Sequence, residues 1–175
     1  MGGGAGVGSL ADAVRTVLSL PGVSVLAVAG RNAGLKAEME ALPVPQGARL
    51  RVFGFVETIA DLMAAADVAV TKSGGLTTAE CLASGLPMLV RDPIPGQEER
   101  NAEYVVEAGA GWRAHGLERL RYKLGRLAAE PALLARMRAA ALSAGRPHAA
   151  EAVLEDAGVH LLGGPGAVRV RGQRV

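Results

Sequence analysis

Aromatic side chains are nearly absent from this 175-residue chain, which holds two Phe, two Tyr and one Trp. Half of the residues are hydrophobic, so a core has to be assembled from Ala, Val and Leu. The same scarcity excludes a nucleic-acid-binding face in which aromatic residues interleave with basic ones. An excess of one charge is also lacking. The formal net charge is +2, and much of it comes from Arg169, Arg171 and Arg174 at the end of the chain. That is too little for a nucleic-acid footprint, and no nucleic-acid partner is expected. The single cysteine, Cys81, excludes an internal disulfide framework and fits a reducing compartment. No apolar run approaches the roughly 20 residues of a membrane span. The opening is glycine-rich rather than basic and then apolar, so a signal peptide is not expected. These absences predict a soluble, cytoplasmic domain that buries roughly two thirds of its unfolded surface.

What is present is alternation. Ser9–Leu20 carries a helical stripe of Ala11, Val14, Val17 and Leu18. "VSVLAVAG", Val23–Gly30, is a continuous apolar run bounded by glycines, as for a strand buried on both faces. A helix over Ala33–Leu42 is stopped by Pro43 and Pro45. The pattern then repeats: strand "RLRVFGF", helix "TIADLMAAA", strand "DVAVT", helix "LTTAECLAS", strand "PMLV", helix "RNAEYVVEAG" and short strand "AGWRA". From Gly116 on, "LERLRYKLGRLAAE", "ALLARMRAAALS" and "AAEAVLEDAG" predict three successive helices. The domain is expected over residues 1–157, with a frayed basic tail over 158–175. Strict alternation implies an α/β fold, a Rossmann-like doubly wound parallel sheet with a helical C-terminal part. No strand precedes the opening glycines, although the first strand of such sheets lies in the middle. The expectation is a fragment or half-protein whose central strand neighbours keep unpaired ladder groups.

Two glycine-rich loops stand before helices. "GGGAGVGS", Gly2–Ser9, and "SGGLTT", Ser73–Thr78, let backbone approach an anion while free N–H groups at a helix start point at it. Two such starts facing one crevice suit a diphosphate; alternatively the glycines only make turns. Thr77 and Glu80 match a T-x-x-E capping box, like Ser9 and Asp12. Equally, Glu80 reaches over the cradle and accepts hydrogen bonds from two ribose hydroxyls. In "DPIPGQEERNAEY", Gln97, Glu98 and Asn101 gather polar groups able to hold a sugar, or simply form a solvated helix start. "GVGSLA", Gly6–Ala11, also matches G-x-G-x-x-A, with Arg31 placed to meet the 2′-phosphate of NADP. That reading leaves Ser73–Asn101 without a role.

Together, "GFVETIADLMAAADV" and "VTKSGGLTTAECLASGLPMLV…PGQEERNAEYVVEAGAG" resemble the C-terminal, donor-binding half of a GT-B glycosyltransferase. The likeness is nearest to monogalactosyldiacylglycerol synthases and processive diacylglycerol glucosyltransferases, and more distant to the N-acetylglucosaminyltransferase that forms lipid II. It runs from the opening glycines to about Ala157. The resemblance implies that Gly4 and Ala5 contact the donor diphosphate, with Ser73, Gly74, Gly75 and Thr77 as the second cradle. It implies that Phe55 and Val56 form a uracil pocket, that Glu80 binds the ribose, and that Gln97 and Glu98 hold the transferred hexose with Asn101 supporting them. The donor is a UDP-sugar and no cofactor is implied. Helix dipoles stabilise the departing UDP, so no metal need be invoked.

The acceptor half of that architecture has no counterpart here. His115, His148 and His160 match no family base and read as surface or packing residues, Cys81 as a small core residue, and Trp112 as a buried aromatic beside the last strand. The implied partners are a UDP-sugar, an N-terminal acceptor domain or a separate polypeptide carrying it, and through that partner a lipid acceptor and any peripheral membrane contact. The implied function is the donor-binding half of an inverting hexosyltransferase, inactive alone. The alternatives are the NADP module and a non-catalytic truncated remnant.

Overall fold

The apolar runs become strands and the striped segments become helices. In the computed structural model, which describes residues 10–161, two compact units divide the chain at Met1–Gly145 and Arg146–Val175. The described residues of the first form five strands: β1 (Ser24–Val28), β2 (Arg49–Phe53), β3 (Ala69–Thr71), β4 (Met88–Val90) and β5 (Gly111–Arg113). Its helices are α1 (Leu10–Leu18), α2 (Ala33–Glu40), α3 (Ile59–Ala64), α4 (Gly75–Ala83), α5 (Gln97–Glu107), α6 (Gly116–Ala129) and α7 (Pro131–Ala144).

All pairings are parallel. β1 pairs with β2 in the register Leu26↔Arg51, and β4 lies between β3 and β5 with Leu89 opposite Val70 and Trp112. Side chains alternate across β4. Leu89 joins Ala13 of α1, Leu120 and Leu127 of α6 and Met137 of α7 on one face. Met88 and Val90 join Met63 of α3, Cys81 and Leu82 of α4, and Ala102 and Val105 of α5 on the other. β4 is therefore fully buried, as a strand with helices on both faces must be. Burying each of its Leu, Met and Val side chains contributes about 1.5–3 kcal/mol. A third cluster joins Ala11, Val14 and Leu18 of α1 to Ala27 within β1, Ala29 just after it, and Met39 of α2. This is the expected doubly wound α/β arrangement. Among the described residues its ladder is in two parts, β1-β2 and β3-β4-β5, because no described strand lies between β1 and β3.

Local chemistry sets the element ends. Asn32 caps α2, its side chain accepting from Leu35 N at 2.9 Å, and Pro131 opens α7, where a missing N–H costs nothing. Gly111 lets β5 approach β4 closely: a Cβ there would lie 2.3 Å from Met88 O and 2.5 Å from Val105 Cγ1. The second unit is described by helix α8 (Ala149–Leu161), with His148 Nδ1 2.7 Å from Glu151 Oε2 at its start. α8 runs through the expected domain boundary at 157/158. Arg169, Arg171 and Arg174 lie outside the described residues, as does the rest of the expected tail beyond Leu161.

Candidate functional site

Helix α4 begins where β3 ends, after the short loop Lys72–Gly74. Its N-cap is Gly74, with extended backbone at φ −61° and ψ 149° and no side-chain cap. Thr78 N donates to Gly74 O at 2.9 Å, closing the first intrahelical bond. The N–H groups of Gly75, Leu76 and Thr77 precede it and have no intrahelical partner. Space around Gly74 is open: a Cβ there meets nothing within 4 Å. This geometry excludes the capping-box reading of Thr77 and Glu80. Thr77 is the third residue inside the helix, and the cap is a glycine. Glu80 is exposed on α4, one turn beyond the free donors.

The next turn of polar residues is helical, not a loop. α5 starts at Gln97, three residues before the expected Arg100, so Gln97, Glu98 and Asn101 all belong to it. Gly96, at φ 104°, turns the chain directly into the helix, a backbone that L side chains rarely adopt. Glu98 and Glu99 in the first turn are favoured by the helix dipole. Glu98 Oε2 accepts from Ile94 N at 2.8 Å and holds the preceding loop.

Ser73 joins the two helix starts. It is fully buried. Its hydroxyl donates to Glu98 O at 2.6 Å, and its own carbonyl accepts from Asn101 Nδ2 at 2.8 Å. A Cβ on Gly75 would stand 3.4 Å from Gln97 Nε2, so the Gln97 amide lies against the first residue of α4. Ser73, Gly74, Gly75, Thr77, Gln97, Glu98 and Asn101 are thus brought together. The Ser73 hydroxyl is taken up within the protein, so it is not among the donors that this loop and the start of α4 offer a ligand.

Local pattern did not single out two residues near the site, Asp92 in the loop before α5 and Arg113, which bonds to α5. Asp92, at φ 39°, has the only positive φ outside glycine among the described residues. It lies 3.4 Å from Arg91 and 3.7 Å from His115 Nδ1. Arg113, at the end of β5, donates to Glu99 O at 3.1 Å and pairs with Glu103 at 3.4 Å. The Asp-Pro dipeptide at Asp92–Pro93 was a usable signal, since Asp tolerates left-handed backbone in turns.

Phe55 and Val56 occupy a different loop, after β2. Phe55 is 63% exposed, and the guanidinium carbon of Arg31, from the loop after β1, sits 5.0 Å from its ring centroid. Arg31 thus stacks on an aromatic face. Gly4 and Ala5 lie outside the described residues. The placed candidates all follow the C-terminal ends of parallel strands, except Glu80, which is carried one turn along α4. In open α/β sheets that edge binds ligands.

The remaining candidates take structural roles. Cys81 is buried, and burial pushes its thiol up to about 12, with the charge of Glu80 adding to the shift. Trp112 lies within β5 rather than beside it and is half-buried rather than buried, flanked by Lys123 at 5.6 Å and Arg126 at 5.4 Å. His115 is the exposed N-cap of α6, and His148 pairs with Glu151; the side chain of His160 lies outside the described set. Among the described residues there is no cluster of His, Cys, Asp and Glu able to hold a metal. No described helix is long and apolar enough to cross a membrane.

Comparison with known proteins agrees with this geometry. Residues 1–153 match the glycosyltransferase family 28 C-terminal domain. The processive diacylglycerol beta-glucosyltransferase of Bacillus subtilis (strain 168) is 34% identical over 134 residues, covering 77% of this chain and 35% of the relative. The match thus spans between about a quarter and about a third of the length of these curated relatives. Among solved structures, the glycosyltransferase VinC in complex with DTDP is 25% identical with a TM-score of 0.57, covering 83% of this chain and 36% of VinC. MurG of Acinetobacter baumannii has a TM-score of 0.66 at 21% identity over 81% of this chain and 42% of its own, a likeness of fold. A stand-alone NADP module is not favoured by these matches. With its glycine-started helices at the C-terminal edge of a parallel sheet, the chain belongs to the glycosyltransferase family 28 C-terminal domain family and has the Rossmann-like architecture of the C-terminal half of GT-B enzymes.

Proposed function

We propose that this chain is the donor-binding half of an inverting glycosyltransferase that moves a hexose from a UDP-sugar to a lipid acceptor. The observation that carries this reading is the stitched pair of glycine-started helices. Ser73 and Asn101 fix the N-terminus of α4 against that of α5, and neither start is capped by a side chain. Donors with no internal partner then face a place where diphosphate charge is stabilised, and more strongly as UDP departs. The DTDP held by VinC is a nucleoside diphosphate on a related chain.

The roles follow the elements. Gly75, Leu76 and Thr77 N–H groups, reached past Gly74, hold a diphosphate oxygen; Gly4 and Ala5 supply the opposing loop. Phe55 and Val56, with Arg31 stacked on the ring, receive uracil. Glu80 takes the ribose hydroxyls, and Gln97 and Glu98 the hexose. The acceptor and the general base come from an N-terminal acceptor domain or a polypeptide that carries it. The lipid acceptor is proposed from the activity named for the diacylglycerol glucosyltransferases, and membrane contact is assigned to the acceptor half. No cofactor is required by these roles.

Thermal unfolding with and without UDP tests the reading, with NADP as control. UDP at a hundred times its Kd adds about 2.7 kcal/mol of stability, and NADP adds none. A shift with NADP that excess UDP does not abolish overturns the assignment. Glycosylation of diacylglycerol by the purified chain alone would overturn the half-site part of it.

A further inference from the structure

The chain leaves β4 through a turn that glycine would ordinarily make. Arg91 N donates to Thr71 O and Ala114 N to Val90 O, both at 2.8 Å, so the backbone is clamped between β3 and β5 up to residue 91. At the next residue, Asp92, φ is 39°. This left-handed conformation crowds a Cβ against the backbone, a cost that glycine escapes and that Asp and Asn bear better than other residues. Among the described residues the seven other positive-φ positions are all glycine. A strained residue persists only where its surroundings over-determine it.

The surroundings of Asp92 do so. Its side chain is mostly buried, and Oδ2 lies 3.4 Å from the guanidinium of Arg91, which is itself nearly buried. Oδ1 lies 3.7 Å from Nδ1 of His115, the N-cap of α6. One residue is thus held at three points: the end of β4, the side chain of Arg91 and the start of α6. A carboxylate could neutralise Arg91 from a relaxed backbone. The strained turn adds something else, a fixed direction for the chain that follows.

That chain is short and stiff. Pro93 and Pro95 have fixed φ, and Ile94 N donates to Glu98 Oε2 at 2.8 Å. Gly96, at φ 104°, then turns the backbone into α5. A direction set at Asp92 is carried across these four residues to Gln97 and Glu98. The bonds of Ser73 and Asn101 fix the first turn of α5 against α4; the approach of the chain to that turn is set at Asp92.

We propose that Asp92 is a positioning residue for the transferred sugar. Its strained turn, held between β4 and α6, sets the loop 93–96 and through it the side chains of Gln97 and Glu98. The sugar role rests on the donor-binding reading above, whereas the tether of the loop does not.

Three forms of the whole chain test it: the parent, Asp92→Gly and Asp92→Asn. Glycine relaxes the turn and removes the carboxylate; Asn tolerates the turn and keeps an oxygen for Arg91 or His115. The first readout, residue-resolved amide hydrogen exchange, needs no ligand. In Asp92→Gly the Ile94 amide should exchange at least about fivefold faster, while Arg91 and Ala114, bonded within the sheet, keep the parent's rates. The second is calorimetry with UDP and with UDP-glucose or UDP-galactose, whichever the parent binds more tightly. In Asp92→Gly the affinity ratio should move about tenfold against the UDP-hexose, with UDP itself within about twofold of the parent. In Asp92→Asn the ratio should stay within about threefold of the parent.

An unchanged Ile94 rate in Asp92→Gly overturns the tether and the proposal with it. Faster exchange with an unchanged ratio overturns the sugar role. So does an equal loss for both ligands, which a general loosening of the fold would give. A loss in Asp92→Asn as large as in Asp92→Gly also overturns it, since charge rather than the turn would then be acting. A parent that fails to bind UDP or the UDP-hexose refutes the donor-binding reading instead, and the sugar role falls with it whatever Ile94 does.

Discussion

Replacing Ser73 with Ala removes one oxygen from a fully buried position and cuts the bond that ties α4 to α5. The Ser73 hydroxyl donates to Glu98 O at 2.6 Å. A hydrogen bond of this kind is worth about 0.5–1.5 kcal/mol net, and Glu98 O, in the first turn of α5, keeps the helical donor four residues on, so no unsatisfied carbonyl adds to that cost. A domain of this size loses about 2–4 °C of Tm per kcal/mol, so unfolding followed by circular dichroism should shift down by roughly 1–6 °C. The functional effect should be unequal. Gln97 and Glu98 ride on the loosened α5, whereas the free N–H groups of α4 remain. Calorimetry on Ser73→Ala should therefore show a larger loss of affinity for a UDP-hexose than for UDP. An unchanged Tm would mean that the stitch does not hold in solution. Equal losses for the two ligands would mean that the hydroxyl serves the diphosphate directly. Adding Asn101→Leu, which removes the reciprocal bond to Ser73 O, should cost less in the double variant than the two single losses added together.

Glu80 is exposed, so Glu80→Gln should leave Tm within about 0.5 kcal/mol of the parent while weakening UDP about tenfold and leaving pyrophosphate binding unchanged; equal loss for both ligands would remove Glu80 from the ribose. Gly111→Ala drives a Cβ to 2.3 Å from Met88 O, and the urea midpoint should fall by an amount near the top of the about 1–3 kcal/mol range for overpacking. An unchanged midpoint would contradict the close approach of β5 to β4. Cys81 should resist iodoacetamide at pH 8 until the chain unfolds, because burial holds its thiol neutral up to about 12. The sign follows from the raised value: the neutral buried thiol contributes its full stability below its ordinary pKa of 9.0 and loses that contribution as pH climbs from there towards about 12. Rapid labelling of the folded chain would place Cys81 outside the core.

Most of the architecture was legible because the apolar runs are punctuated. Gly85 and Gly109 end α4 and α5 where expected, each with positive φ, and the all-apolar "PMLV" is the strand with helices on both faces. The errors lie where glycine departs from its usual meaning. Gly75, a poor helix former, is the first residue of α4, and that moves Thr77 inside the helix and dissolves the apparent capping box. Gly96 turns the chain straight into α5, so residues that read as loop by their polarity are helical. Contacts between distant parts of the chain had no local signature. Neither the Ser73–Glu98–Asn101 stitch nor Arg31 over Phe55 follows from periodicity, although each residue is unremarkable for its own element. The candidate residues Gly4 and Ala5 rest on resemblance.

Gly74 offers the sharpest separation between folding and ligand binding. Its backbone is extended, at φ −61° and ψ 149°, which suits any N-cap residue, and a Cβ there meets nothing. Asp or Asn at this position would accept from the orphan N–H groups of α4, as Asn32 does for α2. An Asp also gains about 0.3–1 kcal/mol from the helix dipole, and losing the freedom of glycine in the unfolded chain adds about 0.4–1 kcal/mol. Gly74→Asp should thus stabilise the free protein by about 1 kcal/mol. If the uncapped donors serve a diphosphate, the same change must weaken UDP, since the carboxylate occupies the donors and repels the ligand. Gly74→Asn occupies the donors without the charge, so it should give a smaller loss, and that loss should depend less on salt. Stabilisation with undiminished UDP affinity in both variants would show that these N–H groups are not the phosphate site, and that Gly74 serves only the turn.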